Sequence, residues 1–171
     1  MTNPRDESPI EGIVAQLEYL ILEMEALRQA VLLLPDIALS GRPYDGEPSV
    51  KDVFAGIAHL DRSVRLTNVR LLLQGDGANL KVAAPVTDTV DETADAVVLI
   101  DEVSNARSEL LDAVRELPEA DWEKTARLDG ESVTLTEYLF GVTQEDADVL
   151  RLAAQRIYES RPVRSPGFTA S

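Results

Sequence analysis

Apolar residues recur at steps of three and four in four long stretches of the chain, the spacing that lines one face of an α-helix. In the first, Ile13, Leu17, Leu20, Met24, Leu27, Val31 and Leu34 form the stripe, and Val14 and Ile21 widen it. Pro35 ends it, because a proline ring cannot continue a helix. The second carries Val53, Ile57, Leu60, Val64 and Leu71 and stops at QGDG, where Gly75 and Gly77 can take the positive φ of a C-terminal cap. The third carries Leu99, Val103, Ala106, Leu110, Ala113 and Leu117 before Pro118. The fourth carries Leu135, Tyr138, Leu139, Val142, Val149, Leu152, Ala153 and Ile157 and fades at Arg161 and Pro162. Each stretch predicts a helix of about 25 residues, roughly 37 Å long. Four such helices with one buried stripe each make an all-α four-helix bundle.

Start signals of one kind precede the stretches: Ser8 with Glu11, Ser49 with Asp52, Thr89 with Glu92, and Thr134 with Glu137. In such a capping box the hydroxyl accepts from an orphan backbone N–H, while the acid reaches back to the cap residue and meets the positive end of the helix dipole. Pro9 follows Ser8 at the first helical position, where its missing N–H costs nothing. The connections near residues 35–48, 75–88 and 118–133 exceed the usual bundle loop of about 2 to 8 residues, which permits crossover topology and can build a wall of a site. LDGESVTL, residues 128–135, predicts a small turn or hairpin around Asp-Gly. The expected organisation is a flexible N-terminus over residues 1–7, a bundle over 8–160 and a flexible, aperiodic tail over 161–171.

Charge narrows the function. The formal net charge is −15, with 16 basic residues scattered among 31 acidic ones. Nucleic-acid binding needs clustered Lys and Arg to replace phosphate counterions, so nucleic acid is not an expected partner, and anionic membrane surfaces are disfavoured for the same reason. The chain has no cysteine, hence no disulfide, no thiol nucleophile and no Cys-ligated zinc. Its polar start does not read as a signal peptide, and no apolar run is long enough to span a bilayer, so the expectation is a soluble cytoplasmic protein.

The order and spacing of SVKDVFAGIAHLDR, LLLQGDGANL, SELLDAVRELPEADW and TLTEYLFGVTQEDADVLRLAAQRI resemble the DinB/YfiT-like superfamily over roughly residues 10 to 158. The resemblance implies a four-helix bundle, often a homodimer, with a divalent metal held by a His of the second helix and two residues four apart in the fourth. Counted from the capping boxes, those positions fall here on Gly56, Glu145 and Val149, or in the fourth helix, one residue on, on Asp146 and Leu150. Glycine and an aliphatic side chain offer no lone pair to a metal, so the expectation is a degenerate site with no cofactor.

His59, the single histidine, sits one turn beyond Gly56 on the same side. It could replace the missing ligand, joining Glu145 or Asp146, with Asp148 nearby, in a relocated site for Zn²⁺, Ni²⁺ or Mn²⁺. The simpler reading makes His59 a residue beside the core. Whichever of Glu145 and Asp146 faces inward needs a partner, and His59, Arg62, Arg65 and Tyr19 are the candidates. Trp122 is expected to pin the third connection onto the bundle, and Tyr44 to lie at one bundle end. Gly56, His59, Glu145, Val149 and Trp122 together make the candidate pocket. Three functions follow. The first is a homodimeric module that binds a small molecule or a protein. The alternative is a divalent-metal-dependent transferase or hydrolase acting on small electrophilic or thiol-linked substrates through His59, Glu145 and Asp146. The third is a purely structural, acidic dimerisation module.

Overall fold

Helix α1 (Pro9–Val31) starts with Pro9 just inside its N-terminus, and its buried residues are Ile13, Leu17, Leu20, Met24 and Val31. The computed structural model describes residues 8–42, 45–75, 77–83, 90 and 93–160. A turn carries the chain to Pro35, which caps the short α2 (Asp36–Ser40). The second rod is one continuous run of α3 (Val50–Leu60), a π-helical turn (Asp61–Arg65) and α4 (Leu66–Gln74). It ends as its glycines require, with Gly75 at φ 121° and Gly77 at φ 93°. The third rod is α5 (Ala96–Val114), and α6 (Glu119–Trp122) leads into a hairpin of β1 (Thr125–Leu128) and β2 (Glu131–Thr134). Helix α7 (Leu135–Glu159) is the fourth rod.

The boxes at Ser49 and Thr134 form with both reciprocal hydrogen bonds. The other two expected starts differ. Ser8 caps α1 without a side-chain hydrogen bond. Thr89 and Glu92 lie outside the described residues, as do Tyr44 and the two expected flexible ends, 1–7 and 161–171. The third rod starts later than expected, at Ala96, because the Asp95 carboxylate accepts from the N–H groups of Val97 and Val98 and so caps the helix there. The hairpin turns at Asp129 and Gly130, both with positive φ (51° and 87°), as the Asp-Gly pair predicts.

Helix α1 packs against α5 and α7, and α3 packs against the same two. The first and second rods therefore face each other across the bundle, and so do the third and fourth. Chain neighbours that are diagonal in space need connections that cross the bundle end, which explains why the first and third connections are long. The second is tied down as well: Leu80 N–H donates to Arg127 O, and Arg127 N–H donates to Ala78 O, across an Asn79–Arg127 bridge.

The core falls into two apolar clusters. One gathers Leu20, Met24, Phe54, Ile57, Ile100, Val103, Ala153 and Ile157. The other gathers Leu17, Val69, Leu72, Leu110, Leu111, Trp122, Leu135 and Leu139. Between them, on every rod except α1, sits a buried charged side chain: Asp61 and Arg65 on the second, Arg107 on α5, Asp146 on α7.

Candidate ligand groove and buried ion-pair cluster

The π turn of the second rod decides which side chains face inward. Val53, Ile57, Asp61, Arg65 and Val69 are all buried and follow one another at steps of four. A regular helix of 3.6 residues per turn drifts by about 40° at each such step, and a wider π turn absorbs that drift. The expected stripe is corrected accordingly: Leu60, Val64 and Leu71 are only half-buried, and charged residues take the inward places at the turn.

Those charges form one bonded cluster. Arg107, with no exposed surface, donates from Nε to Asp61 Oδ2 at 2.8 Å and from Nη1 to Asp146 Oδ2 at 2.6 Å. Its Nη2 reaches Asp61 Oδ1 at 3.2 Å and Asp146 Oδ1 at 3.0 Å, and Nη1 also donates to the Leu17 carbonyl at 3.3 Å. Arg65 Nη1 donates to the same two carboxylates, at 2.8 Å to Asp61 and 3.0 Å to Asp146, and its Nη2 donates to Glu145 Oε2 at 2.9 Å. Burial alone would weaken the hold of each guanidinium on its proton. The carboxylates of Asp61 and Asp146 outweigh it, so both arginines sit above their ordinary pKa and stay cationic.

Asp146 is thus the inward carboxylate of the fourth helix, and Arg65, one of the four partners considered from sequence, is its partner and that of Glu145. Arg62 instead lies 3.8 Å from Glu109, and Tyr19 is half-exposed. Sequence reasoning missed Asp61 and Arg107. A signal existed: Asp61 is four residues after Ile57, and Arg107 four after Val103 and three before Leu110, so each interrupts an apolar stripe at an inward position.

Of the candidate pocket, the structure brings Gly56 and Val149 together. They line a groove of about 210 Å³ between α3 and α7 with Val53, Ile57, Leu60 and Leu152. Asp52 reaches its edge, but both its oxygens are occupied: Arg42 grips them at 2.9 and 3.0 Å, and the backbone N–H groups of Ser49 and Val90 donate to them. His59 is exposed and lines neither this groove nor its neighbour. Glu145 belongs to that second cavity, nearer the hairpin. Trp122 is buried in the hairpin-side cluster, its carbonyl accepting from Thr136 Oγ1 at 3.1 Å. Leu150 packs against the other cluster, and Asp148 is exposed and paired with Arg151.

This arrangement matches a known fold. The chain is similar to YfiT from Bacillus subtilis, described as a probable metal-dependent hydrolase with an unusual four-helix bundle topology. The two superpose with a TM-score of 0.65 and 16% sequence identity over 92% of this chain and 94% of that one. The fold is that of YfiT. No protein-family model matches the chain, and no curated protein matches it in sequence.

At 16% identity the likeness to YfiT extends to the fold alone, so the metal question turns on the donors present here. The three positions that the sequence resemblance assigns to metal ligands carry a glycine, an aliphatic side chain and a carboxylate bound to a guanidinium. Among the described residues no three His, Asp or Glu side chains are grouped so as to hold a metal ion. The donor set does not fit the divalent metal that the resemblance implies.

Proposed function

We propose that the chain is a binding module built on the YfiT fold, which takes a small apolar molecule in the Gly56–Val149 groove and carries out no metal chemistry there. One observation carries the reading. Where the resemblance puts a metal, the facing surfaces are Val53, Gly56, Ile57, Leu60, Val149 and Leu152, and the nearby carboxylates are spent on arginines. Gly56 lines this groove with backbone alone, where the resemblance implies a histidine. An apolar cavity of about 150 Å³ is enough to hold benzene, so a groove of about 210 Å³ suits a ring with a short substituent. The relocated set of His59, Glu145 and Asp146 gains no support, since His59 is exposed and Asp146 is buried on both arginines.

The reading includes a homodimer, supported by the exposed apolar side chains of Leu22, Leu32, Leu33 and Ile37 on α1, the turn after it and α2. Light scattering is expected to give twice the mass of the chain. Among the described residues no helix is long and apolar enough to cross a membrane.

The test of the groove uses toluene and indole as probes, followed by ¹H–¹⁵N NMR of the full chain. Shifts confined to the amides around Gly56, Ile57 and Val149, and abolished by Val149→Trp, which fills the space, support the reading. Shifts elsewhere, or none at saturating probe, contradict it.

A further inference from the structure

The second cavity, of about 370 Å³, lies between the π turn, residues 81–83, the hairpin and α7. Its size is within the range of small-molecule sites, and it is distinct from the Gly56–Val149 groove. Val64, Val82, Val133 and Val142 give it apolar walls, and three residues that carry hydrogen-bond donors also line it: Arg65, Lys81 and Tyr138.

Each donor has capacity for a ligand. Tyr138 Oη accepts from Asn68 Nδ2 at 2.9 Å, which leaves its own proton to donate. Asn68 is itself fixed, exchanging hydrogen bonds with the backbone N–H and carbonyl of Lys81, so the phenol and the Lys81 segment are held in one unit. Lys81 Nζ rests 3.4 Å from the Ser63 carbonyl, a long and exposed contact. Arg65 is buried and cannot leave, and its Nη2 points to Glu145.

Glu145 differs from the other two carboxylates on the arginines. Asp61 and Asp146 are buried and already balance Arg65 and Arg107 charge for charge, whereas the Glu145 side chain is 59% exposed at the wall of the cavity. Removing Asp61 or Asp146 would strand a buried cation. Rotating Glu145 into water costs only a half-exposed ion pair, provided that another anion takes its place. We infer that this cavity binds a small carboxylate with an apolar body, its anion taking the Arg65 position that Glu145 holds in the free protein, with Lys81 and Tyr138 completing the cradle.

Glu145 is then a built-in competitor. Other acids, Asp129 and Glu137, also line the cavity and the chain is strongly acidic, so an anion enters against the field and its affinity depends on displacing Glu145. Glu137 is held in the Thr134 capping box, which leaves Asp129, whose side chain has no part in the Arg65 cluster, as the control for charge alone.

The experiment titrates 4-phenylbutyrate, with neutral 4-phenylbutanol beside it, into the full chain at about 0.15 M salt and follows backbone amides by NMR. The acid is expected to bind more tightly than the alcohol and to shift Lys81, Gly141 and Val142. Glu145→Gln, an exposed and fold-neutral change, is expected to tighten acid binding about three- to fivefold, the scale of an exposed ion pair. Asp129→Asn should do less, and Lys81→Gln should weaken binding. Equal affinity for acid and alcohol, equal gains from Glu145→Gln and Asp129→Asn, or shifts confined to Gly56 and Val149 would each overturn the inference. The last of these would leave the apolar groove standing.

Discussion

Arg107 Nη1 lies 2.6 Å from Asp146 Oδ2 in the middle of the bundle, joining α5 to a helix that stands across from it. Through the same guanidinium Asp61 joins in, so one buried arginine ties the third rod to the second and the fourth. The two apolar clusters meet at this layer, and the rods cannot slide along one another without separating charges out of contact with water.

Removing one member should therefore cost more than the bonds themselves, because the remaining charges are left buried. Arg107→Met is expected to destabilise the fold by about 3 to 5 kcal/mol, read from urea unfolding. Replacing Asp61, Arg65, Arg107 and Asp146 together with apolar residues of similar volume should recover most of that loss. A quadruple variant less stable than Arg107→Met would show that the layer stabilises the fold by more than charge compensation.

How much of this was legible beforehand follows from the same residues. Steps of three and four found the four rods because they report which side of a helix is buried, and the Asp-Gly pair found the hairpin because it reports a backbone angle. The third rod starts later than the Thr89 pattern predicts. The Thr89 pattern and Asp95 are both valid caps in sequence, and the helix is capped at Asp95. Asp61 and Arg107 do not read as inward residues because a charge in an apolar stripe is costly alone, and a single sequence does not reveal the opposite charge facing it from another rod. Arg65 was within reach because Asp146 demanded a cation. The position of Gly56 beside Val149 follows from counting along two helices, and the exposure of His59 follows from its place two residues after the inward Ile57, on the far side of α3.

Asp52 makes acid stability testable. Burial would raise its pKa, but the N–H groups of Ser49 and Val90 and the Arg42 guanidinium outweigh burial and hold it below the ordinary carboxylate value. The unfolded chain takes up that proton first as pH falls. The stabilisation is thus complete above about pH 4 and is lost as pH drops through the lower folded value. Asp52→Asn should be less stable at neutral pH and show a shallower loss below about pH 4 in unfolding titrations. An unchanged acid limb would contradict the assignment.

Tyr138 gives the opposite limb. Burial pushes its phenol up to about 12, against the help that Asn68 and Arg65 give to the ionised form. An unfolded tyrosine ionises near pH 10, so the folded state's hold on the proton stabilises it fully below about pH 10, and this is lost as pH rises toward about 12. A shift of that size corresponds to about 2 to 3 kcal/mol. Tyr138→Phe should lack this part of the alkaline loss while costing about 1 kcal/mol at neutral pH, from the Asn68 hydrogen bond. Parallel alkaline limbs for the two proteins would contradict it.

The measurement that bears most directly on the account is divalent-metal titration of chelator-stripped protein by calorimetry, with Zn²⁺, Ni²⁺ and Mn²⁺ in turn. The account predicts no saturable binding by the chain, and none gained or lost in His59→Ala. One-to-one binding by the unaltered chain, abolished in His59→Ala, would contradict it and place a working metal site one helical turn from the apolar groove.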